Sequence, residues 1–308
     1  MNQPLTARAT TARSQAIALV TTRAAHSLDE DMPPLEVAFA AAGAATVIVD
    51  WDDPQVAWAA FDGVLLRSAW DYAERRDEFL AWAERVAART RLLNPLPIVR
   101  WSTDKHYLGE LAAQDVPTVP GEFAEPGSDA AAAVAAFFTR HDPREVVVKP
   151  AIGAGSRDAQ RHEARQRDAI VTHVARLLAQ GRSVLVQPYL ASVDEAGETA
   201  LVYFEGQYSH AFRKGPLLRT GAAATAGLFA PEEITPRQPG GDEREVGARA
   251  VAAIPGGAPL YARVDLIRDA AGAPRLLELE LAEPSLYFAH APGSAARFAA
   301  LVLAHVAR

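Results

Sequence analysis

The stretch Tyr261–Phe288, YARVDLIRDAAGAPRLLELELAEPSLYF, constrains this chain more than any other. Two apolar runs, Leu260–Ile267 and Arg275–Leu281, flank the turn Asp269–Gly272. Strand-like residues on both sides of a Gly-containing connection signal a β-hairpin. Side chains alternate across a strand, so Arg263 and Asp265 share one face of the first strand, and Glu278 and Glu280 share one face of the second. A face carrying three carboxylates resists burial unless its charges are paired or hold cations. Hard cations such as Mg2+ take oxygen ligands and favour carboxylates together with phosphate oxygens. From the hairpin alone two readings stand level: a metal site, or an exposed face whose carboxylates are solvated.

The rest of the chain sets the context. Ala16–Thr22 reads as a buried strand, Leu35–Gly43 as an Ala-rich helix closed by glycine, Ala45–Val49 and Gly63–Arg67 as further strands, and Arg75–Arg89 as an amphipathic helix. Strands alternating with helices imply a parallel α/β layer over about the first hundred residues. Ligands bind beyond the carboxyl ends of such strands, where Thr21–Arg23 and Arg67–Tyr72 fall. Arg67 there either grips a substrate carboxylate or pairs with a nearby acid. A helix Thr103–Gln114 carries Lys105, Val116–Pro120 crosses into a second unit, and Ser128 is the expected cap of a helix running to Arg140. The strand Glu145–Lys149 runs into Ala151–Ser156, AIGAGS; a helix Arg165–Gln180 and a strand Ser183–Tyr189 follow. Thr199–Lys214 reads as a second hairpin turning at Glu205-Gly206-Gln207, with His210 beside Arg213 and Lys214. Gly215–Gly241 has little periodicity, and long segments of that kind are commonly functional or disordered. Helices Glu243–Ala253 and Ser294–Val306 flank the acidic hairpin.

Glycines let backbone N–H groups approach phosphate oxygens, and a lysine adds a point charge; the unit EVVVKPAIGAGS supplies both. It is not a P-loop, for G-x-x-x-x-G-K-[ST] is absent, nor a dinucleotide fingerprint, for Asp158 stands where the third glycine is needed. Neither G-x-S-x-G nor H-E-x-x-H occurs, and the eight histidines show no ligand spacing. A glycine pair alone is a tight turn; with Lys105, Lys149, Arg213, Lys214 and the acidic hairpin, a phosphate-plus-metal site is the better reading.

Composition closes off other classes. With no cysteine, the chain has no disulfide, thiolate catalysis or Cys-type zinc site. A net charge of −7 argues against a broad grip on nucleic acid or anionic membrane. No run of about 18 apolar residues suggests a membrane span. The first fifteen residues are polar, with two arginines, and lack the apolar core of a secretory signal; a flexible tail and a cytoplasmic location are expected.

Lys105, then Lys149-Pro150 with its glycine loop, Gln187-Pro188-Tyr189-Leu190 as a hinge, Lys214, and the Arg263/Asp265 and Glu278-x-Glu280 strands occur in that order. This order resembles the ATP-grasp superfamily, whose members clamp ATP between two α+β subdomains and join a carboxylate to a nucleophile. RSAWDY, NPLPIVRWSTDKHYL, GETALVYFEGQYSHAFRKGP and LLELELAEPSLY are similar to the glutathione-synthetase-like branch that includes the cyclo-ligase closing O-ureido-serine to cycloserine. The resemblance implies that Lys105 and Lys149 contact ATP phosphates under a lid formed by Gly153, Gly155 and Ser156. It implies that Gln187, Tyr189 and Leu190 line the adenine pocket, and that Asp194 or Glu195 reaches the ribose. Asp265, Glu278 and Glu280 would hold one or two Mg2+ ions, with Mn2+ as a substitute; the last position is usually asparagine. Arg263 and Arg213 are the expected stabilisers of an acyl phosphate, with Lys214 as a further expected catalytic residue. Arg67, Ser68, Tyr72 and His210 are expected around an amino-acid-like substrate.

The expectation is an α/β and α+β ATP-grasp fold: a tail over 1–15, an N-terminal α/β substrate domain over 16–115, a small subdomain over 116–190 and a large one with the metal site over 191–308. The expected activity is ATP- and Mg2+-dependent ligation through an acyl phosphate, with ring closure of O-ureido-serine as the narrow form. Intermolecular joining of an amino acid or peptide to an amine, and a non-catalytic ATP-binding module, are the alternatives. No nucleic-acid or membrane partner is expected, and self-association stays open.

Overall fold

The computed structural model describes residues 14–219, 228 and 232–308. The expected tail lies almost wholly outside the described residues, as does the middle of Gly215–Gly241. Three sheets carry the fold.

The first holds β1 (Ala16–Thr21), β2 (Ala45–Asp50), β3 (Gly63–Ser68) and β4 (Leu92–Leu93), all parallel, in the order β2-β1-β3-β4. Helix α1 (Met32–Ala41), entered through prolines in its first turn where a missing N–H costs nothing, covers it with α2 (Arg76–Ala87). Aromatic residues fill one face: Trp51, Phe79 and Trp82 meet edge-on or stacked, with ring centroids 5.4–6.0 Å apart.

Helix α3 (Leu96–Ser102) and helix α4 (Tyr107–Ala112) follow. The single helix expected over Thr103–Gln114 is thus corrected: Lys105 stands in the turn between the two. The second sheet runs β5-β8-β6-β7, from β5 (Glu122–Ala124), β6 (Glu145–Pro150), β7 (Gln160–Glu163) and β8 (Val184–Pro188), with α5 (Ala130–His141) and α6 (Arg167–Ala179) on one face. The cap of α5 is Asp129 rather than Ser128; its carboxylate accepts the N–H groups of Ala131 and Ala132 at 2.8 and 3.1 Å.

A short α7 (Ser192–Ala196) leads to the third sheet, β11-β10-β9-β12-β13, made of β9 (Glu198–Phe204), β10 (Gln207–Lys214), β11 (Ile234–Pro236), β12 (Tyr261–Arg268) and β13 (Pro274–Glu280). The β9–β10 turn places Glu205 and Gly206 at φ +46° and +76°, the left-handed pair a two-residue hairpin needs. Helix α8 (Gly241–Ala252) packs on one face of this sheet through Val246 and Ala250. On the other face, Val202, Phe204 and Phe212 share a core with Ile17, Leu19 and Leu35 of the first layer and with Phe298 and Val302 of α9 (Ser294–Val306). The C-terminal helix therefore completes the N-terminal layer, and one apolar core ties the first sheet to the third.

Candidate active site

A cavity of about 570 Å³ opens between the second and third sheets and reaches the carboxyl ends of the first. Strand alternation delivers its charges: Lys149 from β6, Lys214 from β10, Arg263 from β12, and Glu278 and Glu280 from β13 all line it. Arg263 stands opposite Glu280 in the register, and Asp265 opposite Glu278.

These groups are tightly paired. Arg263 forks onto Asp265, its Nε and Nη2 at 2.9 Å from the two carboxylate oxygens, and also donates to Glu280. Lys214 stands beside Glu198 across the β9–β10 ladder and reaches past the small side chain of Ala200 to Asp265 Oδ2 at 2.9 Å. Its ammonium also lies 3.3 Å from Glu198 and 3.6 Å from Glu232. Lys105 donates to Gly153 O at 2.9 Å and contacts Glu278 Oε1 at 2.8 Å, joining the glycine loop to the acidic hairpin.

The charges tune one another. Burial raises the Asp265 carboxyl, but Arg263 and Lys214 outweigh it and hold the group down at about 2. Burial pushes Glu280 up to about 7, helped by Asp265 and Glu278 and opposed by Arg263. Glu278 is held below the usual range: burial opposes this, but Lys105 and Lys149 prevail. Burial lowers the Lys149 ammonium, Lys105 adds repulsion and Glu278 works against both. Glu283, on the cavity wall, is pushed up to about 8 by burial and by Glu280.

Among the expected nucleotide contacts, Lys105, Lys149, Gly153, Gly155, Ser156, Gln187, Tyr189 and Leu190 all line the cavity. Gly155 and Ser156 both take left-handed backbone, at φ +60°, which glycine adopts freely and serine only rarely. Asp194 and Glu195 are not on the wall; Asp194 is held by Arg161 at 3.0 Å and by the Tyr189 hydroxyl at 2.5 Å. Their direct reach to a ribose is not what the structure presents.

Four further expected residues stand elsewhere. Arg213 precedes Lys214 on the same strand and so points to the opposite face; its Nε donates to Ala196 O at 3.0 Å. Arg67 is fully buried and donates through Nη2 to Asp31 and to Pro284 O, both at 3.1 Å, while Ser68 meets the Thr21 hydroxyl at 2.8 Å. The acid-pairing alternative for Arg67 is the observed one. His210 donates from Nε2 to Leu286 O at 2.7 Å beneath the wall. Of the four expected substrate residues, Tyr72 alone lines the cavity.

The metal set also differs. Among the described residues no three carboxylates converge as ligands, because Lys105, Lys214 and Arg263 occupy their oxygens. Glu278 and Glu280 are open to the cavity, with side chains 28% and 26% exposed; Asp265, at 1%, lies behind its two cations. The oxygen donors suit Mg2+, and Glu278 and Glu280 are placed to meet it first.

Sequence reasoning missed Asp31, Asn94, Glu198, Glu232 and Glu283. Glu198 faces Lys214 only because a bulge at Tyr208/His210 shifts the β9–β10 register. Asn94 accepts the Leu260 N–H at 2.7 Å and donates to Tyr261 O and Leu281 O, both at 2.9 Å.

Known proteins resemble this chain in sequence and fold. Residues 17–94 match a family described as the N-terminal domain of D-cycloserine synthetase DcsG. The cycloserine biosynthesis protein DcsG of Streptomyces lavendulae is 45% identical over 289 residues, spanning 92% of this chain and 96% of that protein. The crystal structure of D-cycloserine synthetase DcsG superposes with a TM-score of 0.89 at 43% identity, over 94% of this chain and 99% of that one. More distant folds include the ATP-grasp ligase PsnB complexed with a phosphomimetic precursor variant, Mg and ADP (TM-score 0.65, 17% identity, 95% and 99% covered). Another is the D-alanine–D-alanine ligase of Bacillus anthracis complexed with ATP (TM-score 0.62, 11% identity, 96% and 98% covered). On the strength of the 45% identity across nearly its whole length, this chain belongs to the cycloserine synthetase family of ATP-grasp ligases.

Proposed function

We propose that the chain activates the carboxylate of O-ureido-serine with ATP and closes it to cycloserine. The observation that carries this reading is the convergence of Lys105, Lys149, Lys214 and Arg263 with Glu278 and Glu280 in one cavity roofed by the Gly153–Ser156 loop. Phosphoryl transfer needs positioning and charge neutralisation more than covalent help from the protein. Lys105 and Lys149 are placed for the transferring phosphate, and the loop N–H groups for its oxygens. Glu278 and Glu280 would hold a Mg2+ ion, which when bound would neutralise phosphate charge; Asp265 would join that set only where Arg263 or Lys214 releases it.

A substrate carboxylate oxygen attacks the γ-phosphorus and ADP leaves. Arg263 and Lys214 then face the acyl phosphate. The ureido nitrogen attached to oxygen attacks the acyl carbon, phosphate leaves and the nitrogen's proton passes to solvent. Water then cleaves the carbamoyl group from that nitrogen as carbamate, which breaks down to CO2 and ammonia, and the nitrogen takes up a proton to give the free ring. Leu217, Leu218 and Ile234 line the same cavity and shield the acyl phosphate from water. The domain limits at 115/116 and 190/191 are part of this reading, with the nucleotide between the second and third sheets and the amino acid toward the first.

ADP release with Mg2+-ATP and O-ureido-D-serine as sole added substrate, with products identified by mass, tests the proposal. Turnover to a ring-closed product supports it. ADP release only when an amine is added moves the reaction to intermolecular ligation. Repeating the assay with Mn2+ tests the substitute ion.

A further inference from the structure

We propose that Glu283 is the recognition site for the α-ammonium group of the amino-acid substrate. The inference rests on the ring-closure reading for the substrate's identity, but on the cavity wall for its chemistry. Five of the buried or half-buried carboxylates lining the cavity have a basic partner within ion-pair distance: Asp31 has Arg67, Glu198 and Glu232 have Lys214, Glu278 has Lys105 and Glu280 has Arg263. Glu283 is 7% exposed, lines the same cavity, and among the described residues has no basic group within that distance. Buried acids without a counter-charge are costly, and one facing a ligand cavity is matched by a cation that arrives with the ligand.

The backbone around it is fixed before anything binds. Six successive carbonyls are each held by a different side chain: Leu281 by Asn94, Ala282 by Tyr261, Glu283 by Trp70, Pro284 by Arg67, Ser285 by Arg263 and Leu286 by His210, at 2.7–3.2 Å. The next three N–H groups, of Leu286, Tyr287 and Phe288, all donate to Asp31. A segment clamped at every peptide presents its side chain in one place, which is what selective recognition requires. Arg263, tied to the Ser285 carbonyl two residues on, acts on Glu283 electrostatically. An amino acid carries its carboxylate and ammonium on one carbon, and the wall offers a cation and an acid side by side to match. Tyr72 lines the same cavity from the N-terminal layer, and burial together with the Glu283 charge raises its phenol.

The test compares O-ureido-D-serine with its des-amino analogue, 3-(ureidooxy)propanoate, in the wild-type protein and Glu283→Gln. Wild type should show a KM for the analogue higher by on the order of tenfold to a hundredfold, the worth of a charge-assisted contact. Glu283→Gln should raise the KM for the amino compound to the analogue's level, leaving the analogue's KM and that of ATP unchanged, and Glu283→Asp should restore part of the difference. A melting temperature at or above wild type excludes misfolding as the cause. An equal KM rise for both compounds overturns the proposal, as does a collapse of kcat with discrimination intact, which would mean proton transfer. If wild type turns over neither compound, the ring-closure reading fails separately. The melting shift induced by D-serine over 3-hydroxypropanoate, with ATP present, then decides: its loss in Glu283→Gln supports the ammonium site, while no such shift, or the same shift in both proteins, overturns it.

Discussion

Arg67 Nη2 bridges Asp31 Oδ2 and the Pro284 carbonyl, 3.1 Å from each, with the guanidinium wholly buried. Asp31 in turn receives the N–H groups of Leu286, Tyr287 and Phe288. An arginine expected at the substrate thus fastens the segment after β13 to the N-terminal layer, and its effect on substrate is exerted through where that segment holds Glu283.

Asp31→Asn should therefore be a stability variant first. Removing one partner leaves a buried charge uncompensated, at a cost of about 3–5 kcal/mol, measurable by urea melts. Substrate KM should rise with it, while ATP binding to the second and third sheets changes little. Unchanged stability would return Arg67 to the direct substrate role.

Neighbouring positions on β10 make an internal control. Arg213→Ala, on the outer face, should keep turnover within about threefold. Lys214→Met, which keeps the stem but not the charge facing Asp265 and Glu198, should lose about a hundredfold or more in kcat. Because it also takes a cation away from Asp265, Glu198 and Glu232, its melting temperature must be read alongside. Equal losses for the two variants would refute the facing assigned here.

The same pair shows where the sequence was legible. Period-two alternation is local, so the shared faces of Arg263 with Asp265 and of Glu278 with Glu280 could be read directly, and so could the lysine–glycine-loop unit. Register across strands is not local. Bulges at Tyr208/His210 and at Asp265/Leu266 each slip the pairing by one residue, re-aiming the side chains beyond them. Counting from the turns alone would set Lys214 and Asp265 beside the wrong neighbours and hide Glu198. Long-range polar contacts were equally invisible: Asn94 touches Leu260 and Leu281, more than 160 positions away, and nothing around Asn94-Pro95 signals it. Arg67 and His210 do stand at strand positions near the site, but what they bind, Asp31 and Pro284 O for Arg67 and Leu286 O for His210, lies far away along the chain.

Glu278→Gln should separate chemistry from nucleotide binding. The carboxylate faces the cavity and pairs with Lys105, so losing its charge removes a metal oxygen donor and frees that lysine. We expect ADP release to fall about a hundredfold or more, the Mg2+ concentration for half-activity to rise, and ATP binding to remain measurable by fluorescence or calorimetry. Full activity at ordinary Mg2+ would remove Glu278 from the site.

Acid should loosen the glycine loop through a histidine pair behind it. His162 Nε2 and His173 Nδ1 are 3.1 Å apart, and His173 Nε2 lies 3.1 Å from Asp158 O, at the loop's end. Burial, with repulsion from His162 and Arg176, lowers His173 to about 4, against the hydrogen bond to Asp158 O and the Asp158 charge. Between its unfolded value near 6.5 and that of the folded state, the unfolded chain binds the extra proton, so stability falls as pH falls through this window, by up to roughly 3 kcal/mol. Burial lowers His162 as well and adds in the same direction. Urea melts at pH 7, 6 and 5 should show the decline, and His173→Gln should flatten it. A slope unchanged in the variant would assign the acid sensitivity to other groups, because His173 is the member of the pair whose proton acceptance the fold most opposes.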